Sequence, residues 1–127
     1  MQWEERFRLK VDAMDHEHQK LISLMNDLYD SAQTADRVRQ KRELDALADY
    51  TRQHFASEEQ FMESVQFAGI DLHRRQHKQL LETFGTHIAR FEAGEALGDK
   101  FFQFLRFWLS AHICGIDTKY AQHVSAA

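Results

Sequence analysis

A chain of 127 residues with 43% hydrophobic side chains is the size of one ordinary domain and has material for a real core. Charged residues make up 28%, both signs are interspersed and the formal net charge is -4, which argues against a nucleic-acid or anionic-membrane partner, since either wants a basic face. No apolar run approaches the roughly 20 residues of a membrane-spanning helix, and the polar, mixed-charge stretch from Met1 to Lys10 does not read as a signal peptide.

Taken in order, residues 1–11 carry Trp3, Phe7, Leu9 and Val11 and read as an arm laid against the rest, too short for alternation to establish a strand. A first helix is expected from Asp12 to Ala32, with Leu21, Ile22, Met25, Leu28 and Tyr29 as its stripe and Asp12 and Asp15 capping its start. A second is expected from Arg37 to Val65 behind the N-cap Asp36, burying Leu44, Leu47, Ala48, Phe55, Phe61 and Met62. A third, capped by Asp71, is expected from Leu72 to Phe91 with Leu80, Leu81, Phe84, Ile88 and Phe91. A fourth is expected from Ala96 to Cys114 with Phe101, Phe104, Leu105, Trp108 and Leu109, stopping at Gly115. Residues 115–127 then form a turn and tail. Proline is absent, as suits long helices, and Gly85 sits alone in mid-helix, where close packing would explain it. Short breaks between helices of similar length predict an all-α, antiparallel up-down-up-down four-helix bundle forming one domain over 1–127. The single cysteine, Cys114, cannot close an internal disulfide, which fits a reducing cytoplasm; it reads as a small, half-buried side chain.

Eight histidines is a high count, and five of them fall in phase with the apolar stripes. His18 precedes Leu21 and Ile22 by three and four. His54 and Glu58 share the stripe of Leu47 and Met62. His73 and His77 share that of Leu80, Leu81 and Phe84, and His112 that of Leu105 and Trp108. Burying these groups unpartnered would cost several kcal/mol in total, roughly, and a shared metal removes that cost. Their heights agree. The midpoint of His18 and His54 is position 36, that of the 54/58 and 73/77 pairs is near 65.5, and that of His77 and His112 is 94.5, each in or near a break between helices. Asp117 joins only if the helix stops at Gly115 and swings it back, because five residues of α-helix would carry it about 140° away from His112. His16 is about 200° from His18, and His87 lies ~15 Å along the axis from His77. These two, His123 in the tail, Glu59 one step off the stripe and Glu17 beside it read as non-ligands.

The ordered set His18, His54-x3-Glu58, His73-x3-His77 and His112-x4-Asp117 comes with Trp3, Asp15 to His18, Tyr50 to Glu59, Met62, Trp108 to Ile113 and Asp117 to Tyr120. Together they resemble the hemerythrin family, and within it the single-domain bacteriohemerythrins, over nearly the whole chain. The resemblance implies two iron ions: His73, His77 and His112 on one, His18 and His54 on the other, with Glu58, Asp117 and an oxo or hydroxo group bridging them. It implies dioxygen as ligand, bound as hydroperoxide at the position left open on the His18/His54 iron. Phe55, Leu105, Trp108 and Leu109 are candidate walls of that pocket. Five imidazoles with two carboxylates supply less negative charge than the four-carboxylate bundles that activate oxygen, which fits reversible binding. The expected function is dioxygen carriage, storage or delivery by a cytoplasmic monomer that is not an enzyme. The alternatives are a sensor acting through a partner, a di-iron enzyme reducing peroxide or nitric oxide, and an iron-handling protein. Ser110 puts a hydroxyl where relatives often have an aliphatic group; it either admits water to the pocket or points into a helix contact.

Overall fold

The structure is a computed structural model that describes residues 2–9 and 11–126; Met1 and Lys10 of the arm and Ala127 of the tail lie outside the described residues. Its helices are α1 (Asp12–Ala32), α2 (Arg37–Ser64), α3 (Ile70–Glu92) and α4 (Asp99–Ala111), followed by a π-helical turn (His112–Asp117) and α5 (Thr118–Ala126). The four long helices form an all-α bundle, and no strand occurs among the described residues. No described helix is long and apolar enough to cross a membrane.

The ends of the helices show how the sequence places them. Asp36 caps α2 by accepting the Arg39 backbone N–H at 3.0 Å, as its side chain predicts. Gln40 closes the first turn by donating to the Ser31 and Thr34 carbonyls at 3.0 and 2.9 Å. Gly94, at φ +108°, ends α3 with the paired bonds of a left-handed cap, Gly94 N–H to Phe91 O and Glu95 N–H to Arg90 O. Arg37 seals the same end by donating to Phe91 O at 2.7 Å.

Two expected caps belong elsewhere. Val11 is the N-cap of α1 and makes no side-chain bond; Asp15 is buried and turns back to accept the Leu9 N–H at 2.7 Å, which fastens the arm. Gly69 is the N-cap of α3, and Asp71 sits in its first turn, where an acid complements the helix dipole. The arm itself holds a 3-10 turn at Glu5–Phe7, with Phe7 and Leu9 buried in the core.

The core joins Leu21, Ile22, Met25 and Leu28 of α1 to Leu44, Leu47 and Met62 of α2, Phe84 and Phe91 of α3, and Phe101, Phe102, Leu105 and Leu109 of α4. Tyr29, expected in the first stripe, is 43% exposed and meets Phe102 edge-on at the rim. Gly85 allows no close helix packing: beyond its own stretch of helix, a Cβ built there meets no atom within 4 Å.

The largest difference from expectation is at the C-terminal end. The helix does not stop at Gly115; the backbone continues through the π turn into α5. Bonding from residue i to i+5 widens the turn by one residue, so residues five apart come near one face. Asp117 therefore reaches the side of His112 by a change of helical pitch rather than by a break.

Candidate metal centre

Each helix delivers its polar residues to one interior level. His18 on α1, His54 and Glu58 on α2, His73 and His77 on α3, and His112 and Asp117 at the ends of the π turn are all buried, with at most 2% exposure. The structure thus brings all seven sequence-selected residues together. Among the described residues they form two overlapping groups, one of Glu58, His73, His77, His112 and Asp117 and one of His18, His54, Glu58 and Asp117. Three imidazoles lie in the first and two in the second, and the carboxylates belong to both.

Asp117 spans the pair. Its Oδ1 lies 2.9 Å from His73 Nε2 and 3.0 Å from His112 Nε2, while its Oδ2 lies 3.1 Å from His18 Nε2. Glu58 Oε1 lies 3.2 Å from His54 Nε2 and 3.3 Å from His77 Nε2, and Oε2 lies 3.6 Å from His18 Nε2. His77 Nε2 and His112 Nε2 face each other at 3.1 Å.

These atoms fit a metal better than they fit one another. His18 Nε2, His54 Nε2, His73 Nε2, Glu58 Oε1 and both Asp117 oxygens are buried without a hydrogen-bond partner, although neighbours lie within 3.3 Å of each. The distances are short enough and the angles are wrong, as expected when lone pairs aim at shared points rather than across to a donor. Metal bonds of about 2.1 Å at right angles put adjacent donors about 3.0 Å apart. The observed spacings are edges of such polyhedra. The donor set, imidazole with carboxylate, suits iron, zinc or copper chemistry.

The buried imidazoles and carboxylates shift one another's pKa values in opposite directions. Burial opposes charge on His54, but Glu58 and Glu17 outweigh it and raise its pKa to about 9. Burial likewise opposes charge on His112, and Asp117 and Glu58 raise it to about 10. His18 is raised by the same two carboxylates against its own burial. Burial would push the carboxyl of Glu58 up, yet His54, His112 and His18 hold it well below the usual range. Asp117 is lowered too, against burial and the Glu58 charge, by His112 and His18.

Sequence reasoning missed the residues behind the centre. Glu17 and Glu59 do not point inward, but Glu17 Oε1 lies 2.6 Å from His54 Nδ1 and Glu59 Oε2 lies 3.2 Å from His77 Nδ1. Such outer carboxylates fix the ring tautomer and leave Nε2 free to face inward. The midpoint argument could have found them: residues 17 and 54 pair across the first break, and 59 and 77 across the second. Tyr120 fell in the stretch read as a turn and tail and was given no role there; its hydroxyl donates to Glu58 Oε2 at 2.7 Å.

The remaining histidines stand apart. His16 is exposed, His87 stacks on Phe104 at 4.9 Å, and His123 Nε2 meets Val65 O at 2.8 Å. The candidate wall residues Phe55, Leu105, Trp108 and Leu109 are all buried. Phe55 stacks flat on His77 at 3.8 Å and approaches His54, Trp108 and His112 at 5.9, 5.7 and 5.5 Å. Ser110 is half-buried, beside the buried Leu105, Trp108, Leu109 and His112. Cys114 is half-buried in the π turn and forms no disulfide.

The family model described as Hemerythrin HHE cation binding domain matches residues 9–124. A bacteriohemerythrin of Stenotrophomonas maltophilia is 32% identical over 98% of this chain and 81% of its own length. One of Methylococcus capsulatus is 34% identical over 94% and 92%. A crystal structure of wild-type hemerythrin superposes with a TM-score of 0.91 at 31% identity, covering 98% of both chains.

Proposed function

The chain belongs to the hemerythrin family, and from that premise we propose that it binds dioxygen reversibly at two iron ions, for carriage, storage or delivery. His73, His77 and His112 would hold one ion, His18 and His54 the other, with Glu58, Asp117 and an oxo or hydroxo group between them. The observation that carries this reading is the pair of overlapping donor groups sharing both carboxylates. When bound, the two ions supply the two electrons that reversible dioxygen binding draws on.

The protein's own contribution is position and exclusion. Asp117 turns one oxygen to each group, so it is set to hold two cations a fixed distance apart. Glu58 is steadied by the Tyr120 hydroxyl. The group with only two imidazoles has one nitrogen donor fewer, which favours it as the side left open. Phe55, Leu105, Trp108 and Leu109 would wall that opening and keep water and protons out.

The chain is read as a binding protein and not an enzyme, acting as a monomer in the cytoplasm. Two carboxylates among five imidazoles reverse the balance of the carboxylate-rich bundles that activate oxygen. Anaerobic ferrous reconstitution, metal analysis and oxygen titration test the proposal. Two irons per chain and one dioxygen taken up and released under vacuum are expected. One metal per chain, or oxidation without release, would overturn it.

A further inference from the structure

We propose that Glu17 is a positioning residue that strengthens His54 as a donor and so governs how tightly the two-histidine half of the centre holds its ion; the inference rests on the two-metal reading above.

The geometry behind it is lopsided. His54 Nδ1–H donates to Glu17 Oε1 over 2.6 Å, a short, charge-assisted bond. Ser57 Oγ donates to the other oxygen, Oε2, at 2.9 Å, so the carboxylate is held at both ends. The bond commits the ring proton to Nδ1, turns the Nε2 lone pair inward, and raises the basicity of the ring. Glu17 keeps only 21% side-chain exposure, which limits solvent screening of this contact.

The corresponding contact on the other half is weaker by construction. Glu59 lies 3.2 Å from His77 Nδ1, and its second oxygen is shared with the Arg74 guanidinium at 3.2 Å. That cation draws charge away from the ring. Among the described residues no lysine or arginine pairs with Glu17. His18, the only other imidazole of the two-histidine group, has a buried Nδ1 without a hydrogen-bond partner. Glu17 is therefore the one carboxylate backing that group among the described residues. The half with fewer nitrogen donors has the shorter and less neutralised outer carboxylate, so Glu17 compensates for the missing imidazole.

The test is titration of the metal-free full chain with cobalt(II), read by visible d–d absorption with a competing chelator present. The wild type takes up two equivalents. Glu17→Gln is expected to weaken one equivalent by roughly 10- to 100-fold and to leave the other unchanged. Ser57→Ala weakens the same equivalent by less, and carries the test alone should Glu17→Gln fail to fold. Glu59→Gln has the smaller effect and acts on the other equivalent. In a His54→Ala background Glu17→Gln has no further effect, because the residue acts through that ring. Unchanged binding, equal weakening of both equivalents, or an effect that survives His54→Ala would overturn the inference while leaving the two-metal reading intact. A wild type that takes up fewer than two equivalents would overturn the two-metal reading, and this inference with it.

Discussion

Tyr120 donates its hydroxyl to Glu58 Oε2 across 2.7 Å, joining residues 62 positions apart in a place where both are fully buried. A hydrogen bond to a charged acceptor contributes about 1.5–3 kcal/mol, and removing the donor leaves the acceptor desolvated. Tyr120→Phe should therefore lower the unfolding free energy of the metal-free protein by about that amount in urea denaturation. Burial, followed by the charges of Glu58 and Asp117, pushes the phenol far above its ordinary range. Alkaline titration followed by tyrosinate absorbance should show at most two of the three tyrosines ionising before the protein unfolds.

Two glycines should respond oppositely to alanine. Gly85 lies inside α3 with open space where a Cβ would go. Gly85→Ala should stabilise by about 1 kcal/mol and raise Tm by about 3–6 °C without altering metal content. Gly94 ends the same helix at φ +108°, a backbone that L side chains rarely adopt. Gly94→Ala should destabilise by about 1 kcal/mol. Thermal melts of the pair would contradict this account if both moved in one direction.

Acidity should act oppositely on the metal-free and metal-loaded protein. Raised pKa values for His54 and His112 mean that their contribution to the metal-free fold is complete below the ordinary value of 6.5 and is lost as pH rises through about 9 and about 10. The lowered carboxyls of Glu58 and Asp117 contribute above their ordinary 4.5 and 3.8, and that contribution is lost as pH falls. Denaturant midpoints of metal-free protein should thus decline from pH 6.5 toward 10. Ligation needs neutral imidazoles, so metal loading between pH 7 and 9 should release protons and tighten as pH rises. Indicator-dye measurements that detect no release would count against these protonation states.

Phe55 is both core and candidate wall, stacked on His77 and in contact range of His54 and His112. Phe55→Ala should cost about 3–5 kcal/mol of stability and leave a cavity against two of the helices. If the ring also keeps water from the centre, the oxygenated protein should oxidise faster than wild type. Phe55→Leu, which restores most of the volume, should recover stability more fully than it slows oxidation.

The bundle was legible because its apolar stripes are strongly periodic and its breaks are short. The site was legible because five histidines fell in those stripes at one level. What escaped depended on tertiary context. Nothing local marks Asp15 as an acceptor for the arm instead of a cap, since either role uses the same side chain at a helix start. Glu17 and Glu59 face sideways, so a search for inward-pointing residues passes over them. Asp117 was selected with the wrong geometry, because its five-residue spacing from His112 was read in α-helical pitch and made to require a break at Gly115.

The π turn also sets a rotational phase for everything after it. Asp117 and Tyr120 are three residues apart, on one face where the turn enters α5, and between them they reach His18, His73, His112 and Glu58. A single angular setting of that last helix engages the spanning carboxylate and the phenol together, as two teeth of one key. Turning α5 by one residue would withdraw both at once. The assembly of the centre is in this sense gated by the angular setting of α5.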